Sequence, residues 1–215
     1  MPKLPELEQR SYSFEIRAEE NERGHIITGR PIVYNSRTDL GWFDEIIEPG
    51  ALDNADLTDV RFLVNHDTKK IPLARSRRNS DSSTMHFSVD ALGLNLDWVD
   101  LDTENNADAR SLYSAVGRGD ISGMSFMFGV DGEEWENLES DHPTRRIKSI
   151  SSVVEVSAVT FPAYESTEIH ARSKAALENA RSALENARQQ SAATVETGAE
   201  LELLKAKTMI LVKGR

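Results

Sequence analysis

The chain has 215 residues, a formal net charge of −11 and no cysteine. This length suits one sizeable domain with an appendage, and it allows a core large enough for an enzyme. The acidic charge disfavours a nucleic-acid partner, because phosphate binding needs a positive surface. The absence of cysteine excludes disulfides, thiolate catalysis and the common structural zinc sites. We predict neither a cofactor nor a metal site.

The first ten residues, MPKLPELEQR, contain no apolar run, so we expect no secretory signal there. No segment approaches the length of a membrane span, and we predict no membrane partner. A short basic cluster is interpreted as a surface loop; its residues are Lys69, Lys70, Arg75, Arg77 and Arg78.

Up to about residue 170 the pattern is mostly typical of β-strands. Alternating or β-branched segments predict strands over 11–18, 24–35, 59–67, 84–90, 92–100, 121–130 and 145–161. A helix is predicted over 104–117, and 131–143 reads as a polar loop. Many short strands with one or two helices indicate a mixed α+β, mainly β fold, arranged as an open or closed β-barrel.

The character of the sequence changes after Ser166. The segment ALENARS at 176–182 is followed directly by ALENARQ at 183–189, a seven-residue repeat with alanine and leucine at helical spacing. This pattern predicts a helix with a narrow apolar stripe. We interpret 171–215 as a helical appendage, which is either a solvated tail or a docking element.

Residues 119–128, GDISGMSFMF, contain two candidate nucleophiles, Ser122 and Ser125. Strand alternation places Ser122 on the same face as Met124, Phe126 and Phe128, which is bulky and apolar and therefore predicted to be core. Ser125 shares the other face with glycines, which let another backbone approach closely. Ser125 is the better nucleophile candidate. Neither the trypsin motif nor the Gly-x-Ser-x-Gly elbow is present.

A serine nucleophile needs a base, and the chain has five histidines: His25, His66, His86, His142 and His170. His66 ends a predicted strand, from which an imidazole can emerge with its backbone fixed. Glu155 lies within the apolar run SVVEVSAVTF (152–161), where a buried carboxylate needs a partner such as a catalytic histidine. The alternative is an edge-strand Glu155 paired with Arg145 or Arg146.

Five ordered blocks between residues 25 and 170 carry a resemblance. They are GRPIVYN (29–35), FDEIIEPGAL (43–52), VRFLVNHD (60–67) with PLAR (72–75), GDISGMSFMF (119–128) and VVEVSAVTFPAY (153–164). The chain resembles the tailed-phage prohead maturation proteases, relatives in fold of the herpesvirus capsid protease assemblin.

In this resemblance the nucleophile of the family maps to Ser125 and its histidine to His66. Glu155 falls where assemblin has a second histidine, which implies a Ser-His-Glu triad. The sequence departs from many relatives at Met127, where they have glycine.

The resemblance implies a serine endopeptidase in the host cell cytoplasm, inside the assembling procapsid. Its partners would be the major capsid protein with its scaffold segment, and the protease itself through self-association or autocleavage. The implied fold is a β-barrel surrounded by a few helices, with the oxyanion hole near 162–168. The expected division is a lead-in with the first strand at 1–24, a protease domain at 25–170 and a tail at 171–215, docking or autocleaved. A catalytically silent, scaffold-like relative and an esterase are the alternatives.

Overall fold

The computed structural model of the chain describes residues 7–12, 16–161 and 178–193. This part is mainly β, with one helix between strands and one near its end. The strands are β1 (Leu7–Tyr12), β2 (Ile16–Asn21), β3 (Gly24–Val33), β4 (Arg37–Asp39), β5 (Asp44–Ile47), β6 (Asp59–Val64), β7 (Ala74–Arg77), β8 (Met85–Asp90), β9 (Gly93–Asp100), β10 (Gly123–Glu136) and β11 (Thr144–Val159). The helices are α1 (Ala107–Gly117) and α2 (178–193).

A seven-stranded sheet is built around the long strand β11. One edge of β11 pairs antiparallel with β10, which in turn pairs with β1. The other edge pairs in parallel with two short strands, first with β5 and then with β6. The outer strands β4 and β7 complete the sheet. This arrangement brings β10, the second half of β11 and the end of β6 side by side.

The second sheet has four antiparallel strands in the order β2-β3-β9-β8. Helix α1 contacts β2 and β3 and buries Ala109, Leu112 and Val116. Asn106 caps its first turn by accepting hydrogen bonds from the backbone N–H groups of Asp108 and Ala109. One apolar core joins the two sheets and this helix, and its fully buried members include Ile27, Phe62, Leu94, Met124, Phe126 and Phe128.

Several predicted elements form with changed limits. The predicted strand 11–18 is divided, because β1 joins the large sheet and β2 joins the small one. The predicted loop at 131–143 is wrong in its first half, where β10 continues to Glu136 in pairing with β11. The two sheets of the described residues do not form a closed barrel. Among the same residues, no helix is long and apolar enough to cross a membrane.

The helix predicted from the ALENAR repeat is present as α2. Its apolar stripe packs against the chain's own domain, where Ala180 and Leu184 are buried with Phe43 and Trp135. Arg188 donates a hydrogen bond to the carbonyl of Leu138 at 2.8 Å. Within the described residues, the stripe is thus covered by its own chain. The second short helix predicted over 199–213 lies outside the described residues.

The tight turn between β8 and β9 depends on Gly93, and this dependence can be measured. Its φ of +135° is rare for other residues, and an added Cβ would lie 2.1 Å from the carbonyl oxygen of Ile32. We expect Gly93→Ala to lower the free energy of unfolding by about 3 kcal/mol or more, from backbone strain and a backbone clash.

Gly117 is the matched control, because a Cβ there would meet nothing closer than Ala18 at 3.9 Å. Gly117→Ala should be neutral or stabilising by up to about 1 kcal/mol. Urea unfolding measures the free energy of unfolding of both variants. Equal stability of the two would contradict the requirement for glycine at position 93.

Candidate active site

Ser125 lies in β10 on the face opposite the core residues Met124 and Phe126, and its exposed fraction is 0 %. The alternation predicted from the sequence is therefore correct for these three residues. The hydroxyl oxygen of Ser125 lies 2.5 Å from Nε2 of His66. This distance is short enough for direct proton transfer between a serine and a histidine.

His66 reaches Ser125 because the chain turns sharply after β6. Asn65 and His66 have φ values of 50° and 55°, in the left-handed region that few side chains adopt. The side chain of Asn65 stabilises the turn through two hydrogen bonds with Thr160. It donates to Oγ1 of Thr160 at 3.0 Å and accepts from the backbone N–H of Thr160 at 2.9 Å. A strained histidine backbone of this kind costs about 1–3 kcal/mol and is typical of functional sites.

Glu155 lies in β11, the strand that pairs directly with the Ser125 strand β10, and is 3 % exposed. Its Oε1 is hydrogen-bonded to Nδ1 of His66, and its Oε2 accepts from the hydroxyl of Ser157 at 2.7 Å. The alternative pairing with Arg145 or Arg146 is wrong, since those arginines bind other carboxylates. The three residues singled out in the sequence thus form one continuous hydrogen-bonded chain.

Ser157 completes this arrangement and was not identified from the sequence. It faces Ser125 in the register of β10 and β11. Besides donating to Glu155, its hydroxyl oxygen accepts from the backbone N–H of His66 at 3.2 Å. Its position two residues after Glu155 on a strand was the available signal, because such residues share a face. Ser157 therefore fixes both the carboxylate and the histidine backbone.

The other serine candidate lies away from the site. Ser122 is exposed and precedes the first residue of β10, so the prediction that it points into the core is wrong. The strand was predicted to begin at residue 121 but begins two residues later, at Gly123, so Ser122 lies outside the sheet.

The remaining described histidines have local roles. His25 contacts the hydroxyl of Thr103 at 2.6 Å, and His86 stacks on Trp98 with ring centroids 4.2 Å apart. His142 lies at the surface near Asp39 and Asp44. His170 and the predicted oxyanion segment 162–168 lie outside the described residues.

A second polar group, here called the ionic cluster, is buried around the side chain of Arg10. Its members come from four strands of the large sheet: Glu8, Arg10, Glu45, Glu133 and Arg145. Arg10 binds Glu45 through two bonds, from Nε to Oε1 at 2.5 Å and from Nη2 to Oε2 at 2.7 Å. Arg145 likewise binds both carboxylate oxygens of Glu8, at 2.7 and 2.9 Å.

The charges in the ionic cluster are stabilised by one another. Burial alone would raise the pKa of Glu8, but Arg10 and Arg145 outweigh it and lower that pKa. Burial would likewise lower the pKa of Arg10, and Glu45 and Glu8 outweigh it and raise that pKa. These shifts favour the charged forms of Glu8 and Arg10, and removal of either side chain would leave a buried partner with less compensation.

One surface group has ligand atoms close enough for a cation. Atoms of Asp39, Asp44 and His142 lie within 4.8 Å of one another. Burial acts to raise the pKa of Asp44, but hydrogen bonds from His142 and Arg37 outweigh it and lower that pKa. These existing partners account for the group as a surface ion pair.

Comparison with known proteins decides the family. A family model described as caudovirus prohead serine protease matches residues 12–182. The chain belongs to the caudovirus prohead serine protease family. This assignment confirms the resemblance seen in the sequence, and with it the general class of phage capsid-maturation serine protease. A search of curated proteins and a search of solved structures returned no match.

The hydroxyl of Ser157 should contribute to the turnover rate, because it bonds to the Glu155 carboxylate and to the backbone N–H of His66. Ser157→Ala should lower kcat by about 10–100-fold with little change in KM, because a hydrogen bond to a charged group contributes about 1.5–3 kcal/mol. Steady-state cleavage of a capsid-derived peptide measures this effect.

Ser157→Thr keeps the hydroxyl and should recover part of the rate. Ser149→Ala is the control, because Ser149 lies on the same strand but pairs with Gly132 rather than with Ser125. A wild-type kcat for Ser157→Ala would show that Glu155 and His66 hold their positions without it.

Proposed function

We propose that this chain is a serine endopeptidase of the phage procapsid, with Ser125 as nucleophile, His66 as general base and Glu155 as the third triad member. The observation that carries this proposal is the continuous chain of hydrogen bonds from the Ser125 hydroxyl through the His66 imidazole to the Glu155 carboxylate. Each member comes from a different strand or strand end of one sheet. Such convergence is the geometric signature of a serine hydrolase triad.

The carboxylate of Glu155 decides which nitrogen of His66 is the base. A carboxylate accepts hydrogen bonds, so it favours the proton on Nδ1 and leaves the lone pair of Nε2 facing Ser125. Nε2 then takes the hydroxyl proton as Ser125 attacks the substrate carbonyl. The imidazolium that forms is stabilised by the buried negative charge of Glu155, which is 3 % exposed.

The reaction then proceeds through an acyl-enzyme. His66 returns its proton to the departing amine, and the first product leaves. Water next attacks the ester, and His66 again takes and returns a proton. The tetrahedral intermediates need donors for their oxyanion, and the segment 162–168 remains our prediction for them.

The proposed substrates are the major capsid protein and its scaffold segment, cleaved inside the assembling procapsid in the host cell cytoplasm. Autocleavage is part of the same proposal. The support is the family membership, since a prohead protease acts where capsid proteins are assembled. The fold relation to assemblin, with its barrel, also stays a prediction.

The division of the chain at 24/25 and 170/171 stays a prediction as well. The helix α2 belongs to the proposed tail, and its contacts with Phe43 and Trp135 support a docked position on the protease rather than a solvated one. Removal of the tail, or its docking onto scaffold, is proposed for 171–215 as a whole.

A catalytically silent, scaffold-like relative is the second candidate. The intact hydrogen-bonded chain argues against it, because a protein without catalysis has no need to maintain a strained histidine beside a buried serine and carboxylate. An esterase is disfavoured by the order His-Ser-Glu along the chain and by the absence of a nucleophile elbow.

Co-expression with the capsid subunit tests the proposal. Ser125→Ala should abolish subunit cleavage, because the nucleophile is lost, and Glu155→Gln should slow it by about 10³–10⁴-fold through loss of the charge on the His66 partner. Gel analysis of the subunit over time measures both effects.

Ser122→Ala is the matched control, since this exposed serine lies three residues away on the same segment. It should leave cleavage unchanged. Subunit processing that survives Ser125→Ala would overturn the assignment of the nucleophile.

A further inference from the structure

The strand β1 covers the edge of the sheet on which Ser125 lies. β10 pairs with β11 on one side and with β1 on the other, over a register that runs from Leu7 opposite Gly129 to Tyr12 opposite Met124. β1 is the last strand of its sheet, so its departure would leave this edge of β10 unpaired. An unpaired strand edge binds an extended peptide through main-chain hydrogen bonds.

β1 places one of its own peptide bonds against the nucleophile. The hydroxyl of Ser125 donates to the carbonyl oxygen of Arg10 at 2.6 Å. The next residue, Ser11, lies opposite Ser125 in the register and donates its hydroxyl to Oγ of Ser125 at 2.9 Å. The bond between Arg10 and Ser11 is therefore the peptide bond of β1 that lies beside the Ser125 hydroxyl.

Two acceptors compete for the single hydroxyl proton of Ser125. The carbonyl oxygen of Arg10 lies 2.6 Å away, and Nε2 of His66 lies 2.5 Å away. Attack needs Oγ at the carbonyl carbon of Arg10, so the hydroxyl must turn to the histidine and the carbonyl oxygen must turn away from Oγ. Since Ser125 is fully buried, an external peptide does not reach it while β1 is in place.

The side chain of Arg10 enters a site that requires a cation. Glu45 is buried, with a side chain that is 0 % exposed, and it binds the guanidinium through both oxygens. Without β1, the ionic cluster keeps Glu45, Glu133 and Arg145, which are two carboxylates against one guanidinium. β1 adds Glu8 together with Arg10, so the net formal charge of the cluster does not change, but Glu45 gains a guanidinium that binds both of its oxygens. A strand without this arginine would leave the buried Glu45 with the 3.0 Å bond from Arg145, a guanidinium that it shares with Glu133.

Arginine fits this requirement better than lysine. The planar guanidinium makes two parallel bonds with a carboxylate, whereas an ammonium acts as a point charge. β1 also brings Glu8 two residues earlier, which binds both nitrogens of Arg145 that face it. The sequence that fills the edge is thus Glu-x-Arg, with the carbonyl of the arginine beside the nucleophile.

We propose that β1 is an intramolecular substrate of the protease, that the chain cleaves itself between Arg10 and Ser11, and that Glu45 selects the arginine before the cleaved bond. This inference rests on the proposed peptidase activity of Ser125. Oγ of Ser125 attacks the carbonyl carbon of Arg10, the C–N bond to Ser11 breaks, and His66 passes the hydroxyl proton to the departing amine. Water then hydrolyses the ester, which releases residues 1–10 as a carboxylate and opens the edge of β10.

Intact mass and N-terminal sequencing of the full-length protein test the proposal. The wild-type chain should lose residues 1–10 and begin at Ser11, whereas Ser125→Ala should keep them. The rate should not depend on protein concentration, because strand and site belong to one chain. A wild-type chain that keeps residues 1–10, or a rate that rises with concentration, overturns the inference.

Substitutions of Arg10 and Glu45 test the selection. In pulse-labelled synthesis, Arg10→Met should slow the appearance of the Ser11 terminus by about 100-fold and Arg10→Lys by about 10-fold, following the loss of the charge or of its paired geometry. Glu45→Gln should slow it as Arg10→Met does. Arg30→Ala, which removes a surface ion pair with Asp90, is the control.

Thermal unfolding of the same variants separates loss of selection from loss of fold. Equal rates for folded Arg10→Met and wild type would overturn the role of Glu45. Capsid cleavage that depends on Ser125 in a protein retaining residues 1–10 would refute the inference and leave the proposed function standing. No Ser125-dependent cleavage of any substrate would refute the proposed function itself.

Discussion

The burial of a carboxylate in the second half of β11 is the constraint on which the site depends. Glu155 lies between two hydrogen-bonded neighbours in the sheet and is nearly inaccessible, so its charge must be met by donors that the fold supplies. Ser157 supplies one donor from the same strand. His66 supplies the other, and it does so only because the chain after β6 adopts two consecutive left-handed residues. The strain in that turn is offset by the contacts that satisfy Glu155.

The two polar groups of the large sheet are joined by one residue. The backbone carbonyl of Arg10 contacts the hydroxyl of Ser125, while its side chain contacts Glu45 in the ionic cluster. A strand that binds this edge is therefore positioned by its main chain and by one charged side chain at the same time. If a substrate binds this edge as proposed, the residue whose side chain Glu45 recognises is also the residue whose carbonyl lies beside Ser125.

The sequence predicted the site better than the limits of the elements around it. Glu155 was detectable because a charge inside an apolar strand needs a partner. Ser125 was detectable because strand alternation places it on the face opposite Met124 and Phe126. Alternation failed at Ser122, since the strand begins only after it. The segment 131–136 reads as a polar loop, yet its pairing with β11 extends β10 through it. Local propensity is weak where long-range pairing supplies the hydrogen bonds.

The contacts of β1 could not be predicted from the sequence, because they too depend on long-range pairing. Residues 7–10 alternate charge with polar and apolar residues and give no sign that Glu8 and Arg10 are buried. Their burial follows from partners that lie 35 to 137 residues away along the chain. No local pattern encodes such separations.

Main-chain pairing along an open strand edge accepts many sequences, because every residue except proline offers the same donor and acceptor. Discrimination between peptide sequences must then come from side chains, and one buried charge can provide it with few contacts. A neutral side chain in the place of Arg10 leaves the Glu45 carboxylate poorly compensated in an apolar sheet, whereas arginine satisfies both of its oxygens. Under the proposal that substrates pair with this edge, a single buried glutamate would make an edge with a permissive backbone selective for arginine.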